Sequence, residues 1–394
     1  MLNRRTLRIK AMQNLYAFQQ NKNSDYYLAL RHIEEAFEPE WNAEQEEVEI
    51  LKRNKEKAIS LFKSGFESGQ FKSEEPVSEE VREAVSQAFD YYENLIRKDF
   101  EYFRNSMIKG AERNYDLYLW MLELLIQISE FVNIEFLEKE RKLGSLNQAF
   151  VSSDSDLNLY RNKVIRVLKN DRSLQNAIKE RKVSWQKHKD KVWGWYKDII
   201  KKSEAYKEYV NIKEPSFEDD KKAVGQIIKS VIFKNGVIDS FMEEEDLFWR
   251  EDKDVIKSML MRTVKNLTHE DDALELMMLS GNWDDDKEYF RLLFEYTVRN
   301  QKEYEKILSE KIRNWEIDRV AALDYILLQM AMNEMINFPS IPVKVTINEY
   351  IEISKLYSTP KSKYFINGVL DEIANQLTEE GIIRKSGRGL IDNK

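Results

Sequence analysis

Cysteine is absent from this chain of 394 residues, which excludes disulfides, thiolate metal ligands and cysteine nucleophiles. That absence fits a reducing compartment. Proline and glycine are nearly as scarce, at 6 and 12 residues, where an average chain carries about 12% of the two together. Turn-rich β folds need such residues every few positions, so the scarcity argues for helices. A glycine-rich phosphate loop and a G-x-S-x-G elbow are also missing. No run reads as a membrane span. The most apolar stretch, Tyr115–Val132, carries Asp116, Glu123 and Glu130 at intervals of seven, one helical stripe that lipid would leave unmatched. It reads as a core helix with one wet edge.

The residues that are present describe a folded and heavily solvated molecule, 42% hydrophobic and 34% charged. Its length suffices for two or three cores. A net charge of −8 argues against a protein that coats duplex DNA and confines any nucleic-acid contact to a local patch. One such patch opens the chain, where Arg4, Arg5, Arg8 and Lys10 share ten residues. Gln13, Asn14, Gln19, Gln20 and Asn21 interrupt the apolar run an export signal would need, so the start reads as part of a mature, cytoplasmic protein.

Spacing predicts the helices. Leu7, Ala11, Leu15 and Phe18 give the first one a core face, leaving Arg5, Arg8 and Tyr16 off it. The pattern lapses at Asn21–Asp25, and a second helix is expected through Tyr27, Leu28, Leu30 and Ile33. Residues 34–57 pass from acidic to basic, as a solvated helix does. Breaks are expected at Ser64–Ser78, Ser152–Asp156 and Glu214–Asp220, with a helix start at Ser78. Asp284, Asp285 and Asp286 suit a helix N-terminus, and two more helices should follow, through Tyr304–Ile312 and around Val320–Ile336. Val343, Val345 and Ile347 alternate like a strand but have no visible partner strand. Ile347, Tyr350, Ile351 and Ser354 continue at helical spacing, so a helix starting within 342–347 is expected, with Pro342 in its first turn and Thr346–Glu349 as a capping box. A final helix carries Phe365, Ile366, Val369, Leu370, Ile373 and Leu377, capped by Ser358 or Thr359 with Pro360 in its first turn. The tail beyond is expected to be flexible.

Catalytic and metal chemistry find little support. Thr268-His-Glu-Asp-Asp272 lacks a second histidine at ligand spacing and reads as capping acids around a surface His. Residues 179–202 interleave nine Lys/Arg with aromatics, a pattern suited to single strands. Trp185, Val192, Trp195 and Ile199 nevertheless share helical spacing, which favours a core face under snorkelling lysines. No catalytic residue, metal site or cofactor is assigned.

The two ends of the chain carry a resemblance. Arg4-Arg5-x-x-Arg8…Gln13-x-Leu15-Tyr16, Tyr289-Phe290-Arg291-x-Leu293 and Ile341-Pro342-x-Lys344-Val345-x-Ile347-Asn348-Glu349 precede Lys355 and Ser362-x-x-Phe365-Ile366-Asn367-Gly368-Val369-Leu370-Asp371. In this order and spacing they resemble the NusB family of transcription antitermination proteins, in the long form of Bacteroidetes-like bacteria. The resemblance covers residues 1–20 and 284–377. It implies an all-α fold, a NusB-like pair of small helical bundles, here with a large helical insertion. The expected domain comprises 1–22 and 222–377, the insertion 23–221, and the flexible tail 378–394.

The resemblance also implies a non-enzymatic factor that pairs with NusE, a small-subunit ribosomal protein. Together they would bind single-stranded boxA RNA of ribosomal leader transcripts within the RNA polymerase antitermination complex. By position, Arg4, Arg5, Arg8 and Lys10 match the RNA-binding start, Lys361, Lys363 and Tyr364 a second loop near RNA, and Tyr16 and Glu334 the face towards NusE. The chain departs from the family in having Lys361 where an acid is common, Tyr364 where a lysine is, and Gln329 at a usually basic position. A helical interaction scaffold, or a domain linked to ribosomal RNA modification, are the alternatives.

Overall fold

The computed structural model describes residues 1–68, 77–145, 157–312 and 321–393. No strand occurs among them, and the fold is all-α. The helices are α1 (Arg4–Ala36), α2 (Gln45–Ser68), α3 (Glu79–Ser145), α4 (Asn158–Arg161), α5 (Lys163–Asn170), α6 (Arg172–Glu180), α7 (Lys189–Trp195) and α8 (Glu204–Val210). They continue with α9 (Phe217–Gln226), α10 (Gly236–Glu245), α11 (Trp249–Asn266), α12 (Trp283–Arg299), α13 (Gln301–Ile312), α14 (Ala322–Asn337), α15 (Val343–Tyr357) and α16 (Ser362–Glu379).

The chain forms two compact units, Met1–Asn3 with Gly110–Asp286 and Arg4–Lys109 with Lys287–Lys394. The expected limits at 22/23 and 221/222 differ from the boundaries of these units at 3/4, 109/110 and 286/287. Residues 23–109 pack with the family-like ends, whereas 222–286 belong with the middle of the chain.

The first unit is built on the apolar half of α3, whose residues Leu117–Leu122 are all buried. This half passes the length and composition test for a membrane span, contrary to the sequence reading, but 72% of that window is buried inside the protein. The expected wet edge is partly covered. Asp116 pairs with Arg181 at 3.6 Å, and Glu130 with Lys169. Trp185 and Trp195 are core residues, as their spacing predicted, and Trp185 stacks on Trp120 at 4.1 Å. Lys191 and Lys197 lie over Phe241 and Trp193, which keeps their charges at the surface of that core. A capping box at Ser216 and Asp219 starts α9 at the expected break near Pro215. In the Thr268–Asp272 cluster, Asp272 accepts from the Thr268 and His269 amides at 2.6 and 2.7 Å, a local turn rather than a helix cap. Among the described residues no group of side chains could hold a metal ion.

In the second unit, α1 is a single helix of 33 residues, and the expected pause at Asn21–Asp25 is absent. The stretch is polar but holds no Gly or Pro, and its side chains find partners: Asn21 donates to Asp99 at 2.8 Å and Lys22 to Gln301 at 3.0 Å. Ser78 starts α3 as expected, its hydroxyl accepting from the Val81 amide. Of the predicted breaks, Ser152–Asp156 and much of Ser64–Ser78 lie outside the described residues. Asp284–Asp286 fill the first turn of α12. α14 is buried from Ile326 to Met335, the pattern of a central helix, and α1, α13, α15 and α16 pack around it.

α15 begins at Val343, inside the predicted window, with Pro342 as its N-cap residue rather than within its first turn. The Thr346–Glu349 box does not form, because Thr346 turns inward to Glu334. α16 starts at Ser362 with no side-chain cap, so neither Ser358 nor Thr359 caps it directly. The tail is ordered, contrary to expectation. The Ser386 amide donates to the Pro339 carbonyl at 3.0 Å, the Lys385 ammonium to that of Phe338 at 3.0 Å, and Gly387–Asn393 form a 3-10 turn. Apolar Ile383, buried beside this turn, gives the tail its anchor.

Candidate nucleic-acid interface

The arginines of α1 sit at the seam of α1, α12, α14 and α15. Helical spacing puts Arg4 and Arg8 one turn apart, and both guanidiniums lie over the Tyr289 ring of α12, at 4.7 and 5.7 Å. Arg8 does not remain available. Its side chain is 3% exposed, and its Nε and Nη2 each donate at 2.8 Å to the carboxylate of Glu334, which is 0% exposed. Glu334 also accepts from Tyr289 at 2.6 Å and Thr346 at 2.8 Å. Burial alone would weaken the Arg8 charge, but the surrounding Tyr289 and Glu334 oxygens outweigh it and hold its pKa above the ordinary value. Burial raises the Tyr289 and Tyr350 phenols well above theirs, so both stay protonated donors.

This arrangement corrects three sequence expectations. Arg8 and Lys10 are enclosed rather than offered to solvent, and Glu334 has no surface with which to meet a partner. A fully buried glutamate among apolar residues needs a cation or several donors to offset its desolvation. That was the signal in α14 which could have named Arg8 as its partner. Tyr289, Thr346 and Tyr350 complete the site and had no assigned role.

Arg5 remains at the surface. Its Nε and Nη2 donate at 2.8 Å to Glu349, and its side chain keeps 45% exposure. The Arg5 hydrogen bonds hold the Glu349 carboxyl below its usual pKa. A guanidinium has five donors, so Arg5 can engage Glu349 and an outside anion together. Arg4 and Tyr16 are also exposed.

The elbow between α15 and α16 is held from below. Ser358 and Ser362 donate to the buried Asp324 at 2.5 and 2.6 Å. Thus fixed, the turn leaves Lys361 exposed and Tyr364 72% exposed, with the Lys363 ammonium 4.8 Å over the Tyr364 ring. The two clusters are anchored separately. Asp324 and Glu334 are ten residues apart on α14, about 15 Å along its axis. Gln329, between them, is buried and its amide nitrogen lacks a hydrogen-bond partner among the described residues.

Residues 261–375 match the NusB family model. These residues are a NusB-family domain. Transcription antitermination protein NusB of Salinibacter ruber is 44% identical over 105 residues, 27% of this chain and 66% of that protein. The corresponding NusB of Chloroherpeton thalassium is 39% identical over 106 residues, 27% of this chain and 50% of that protein. That of Natranaerobius thermophilus is 36% identical over 92 residues, 23% and 66%. The chain therefore spans between half and about two thirds of the length of these NusB relatives. No solved structure matches it significantly. The NusB match takes in Tyr289, Glu334, Glu349 and the whole elbow, and leaves out α1 with its arginines.

Proposed function

We propose that this protein is a non-enzymatic transcription antitermination factor of the cytoplasm. It binds single-stranded boxA-type ribosomal leader RNA together with NusE, as part of an RNA polymerase antitermination complex. The NusB-family domain at 261–375 is the observation that carries this reading. Exposed Arg4 and Arg5 supply phosphate contacts, and Lys361, Lys363 and Tyr364 form a second contact in which the ring stacks on an unpaired base. Tyr16, exposed on α1, meets the protein partner. Arg8 and Glu334 act from inside by fixing α1, and with it Arg5, against α14 and α15.

RNA titration over a range of salt concentrations tests this. On single strands each phosphate neutralised contributes about −0.7 to the slope of log K against log salt. Arg5→Ala should flatten the slope by about that amount without changing the circular dichroism. An unchanged slope removes Arg5 from the interface. Failure of a boxA oligonucleotide to bind even with NusE present overturns the reading.

A further inference from the structure

A cleft of about 990 Å³ opens in the second unit between α1, the end of α2, α3 and the α12–α13 junction. Helices α1 to α3 build most of it, outside the family match. Its walls are aromatic: Tyr26 and Phe66 lie 4.6 Å apart, and Phe66 meets Tyr92 edge-on at 5.2 Å. Lys22 lies among them and is only partly exposed.

The lysine is poorly compensated. An ammonium has three donors, yet the hydrogen bond of Lys22 runs to the uncharged Gln301 amide oxygen at 3.0 Å. The Glu305 carboxylate stands beyond that amide, which donates to it at 2.7 Å. Burial lowers the Lys22 pKa; the attraction of Glu305 offsets part of this, and the repulsion from Lys302 is smaller than that attraction. Arg299 lines the same side.

We propose that this cleft binds a small ligand that joins a planar aromatic ring to an anionic group. The ring packs against Tyr26, Phe66 and Tyr92, and the anion takes the open donors of Lys22. Aromatic cages also hold cations, and Asp90, Glu93 and Glu305 line this one. Asp90 and Glu93 are exposed to solvent and Glu305 already accepts from the Gln301 amide, whereas the ammonium of Lys22 keeps donors for an incoming anion. The volume sits at the upper end of small-molecule sites, about 300–1,000 Å³, and accommodates a nucleoside monophosphate or a bicyclic carboxylate.

Calorimetry on the full chain with two pairs of probes tests the site independently of any role in antitermination. Adenosine 5′-monophosphate is compared with adenosine, and indole-3-acetate with indole-3-ethanol. At least one charged probe should bind one to one, tenfold or more tighter than its neutral counterpart. Which charged probe shows the difference tells phosphate from carboxylate. Lys22→Gln should abolish the tenfold difference and Lys22→Arg keep most of it. The proposal fails if neither charged probe outbinds its neutral partner, or if Lys22→Gln leaves the difference intact. Should Lys22→Gln not fold, the comparison on the unaltered protein still decides.

Discussion

Glu334 and Glu123 are both acids on largely buried helices, and they are treated in opposite ways. Glu334 receives a bidentate arginine and three hydroxyls. Removing one partner of a buried pair leaves a stranded charge and costs about 3–5 kcal/mol. Arg8→Ala or Glu334→Ala should therefore lower stability by about that much in chemical denaturation, whereas the double change Arg8→Met with Glu334→Leu should cost much less. Glu123 has no such cation. Burial pushes its carboxyl up to about 7, against a partial offset from the Trp185 amide, and its Oε2 has no hydrogen-bond partner among the described residues. A raised acid binds its proton more tightly folded than unfolded. Its contribution to stability is complete below the ordinary value of 4.5 and is lost as pH rises to about 7. Melting temperature should fall across that window, and Glu123→Gln should remove the part of the fall due to this group. An equal fall in the variant would clear Glu123 of the effect.

Helices were readable from spacing wherever an apolar face repeated. Phe365, Ile366, Val369 and Leu370 placed α16, and the triple aspartate placed the first turn of α12. Where polar residues stood in for apolar ones the same reading failed. Asn21 and Lys22 looked like part of a break, and α1 runs through them because distant polar side chains meet them. The tail failed for a related reason: its anchors are backbone amides, one lysine and the single apolar Ile383, which together carry no periodic signature. The site divides likewise. Local pattern exposed the cations, but only tertiary contacts distinguish Arg5 at the surface from Arg8 in the core. Gly389 gives the tail a direct test, since a Cβ there would stand 2.0 Å from the Pro339 carbonyl oxygen. Gly389→Ala should displace the turn and speed hydrogen exchange at the Ser386 amide, and unchanged exchange would refute that packing. At the elbow, Asp324→Ala strands two hydroxyls and should cost about 1–3 kcal/mol, with faster exchange across residues 358–366.

Two compact units with separate cores should not melt as one in a chain of this length. Calorimetry is expected to show more than one transition, with Trp249→Ala lowering one of them and Leu327→Ala another. A single transition displaced equally by both changes would mean that the cores unfold together. Length allowed for two or three cores. It did not foretell how they divide the chain, because both units draw on distant stretches and α3 and α12 each contribute to both.

The pairing of Arg8 with Glu334 also decides what can be cut away. A fragment trimmed to residues 261–375 keeps the acid and discards its guanidinium, together with Leu7, Ala11, Leu15 and Phe18, which α1 buries. The recognisable part of this protein is thus not self-sufficient. Produced by itself it should be poorly soluble, and adding back a peptide of residues 1–36 should restore helical signal.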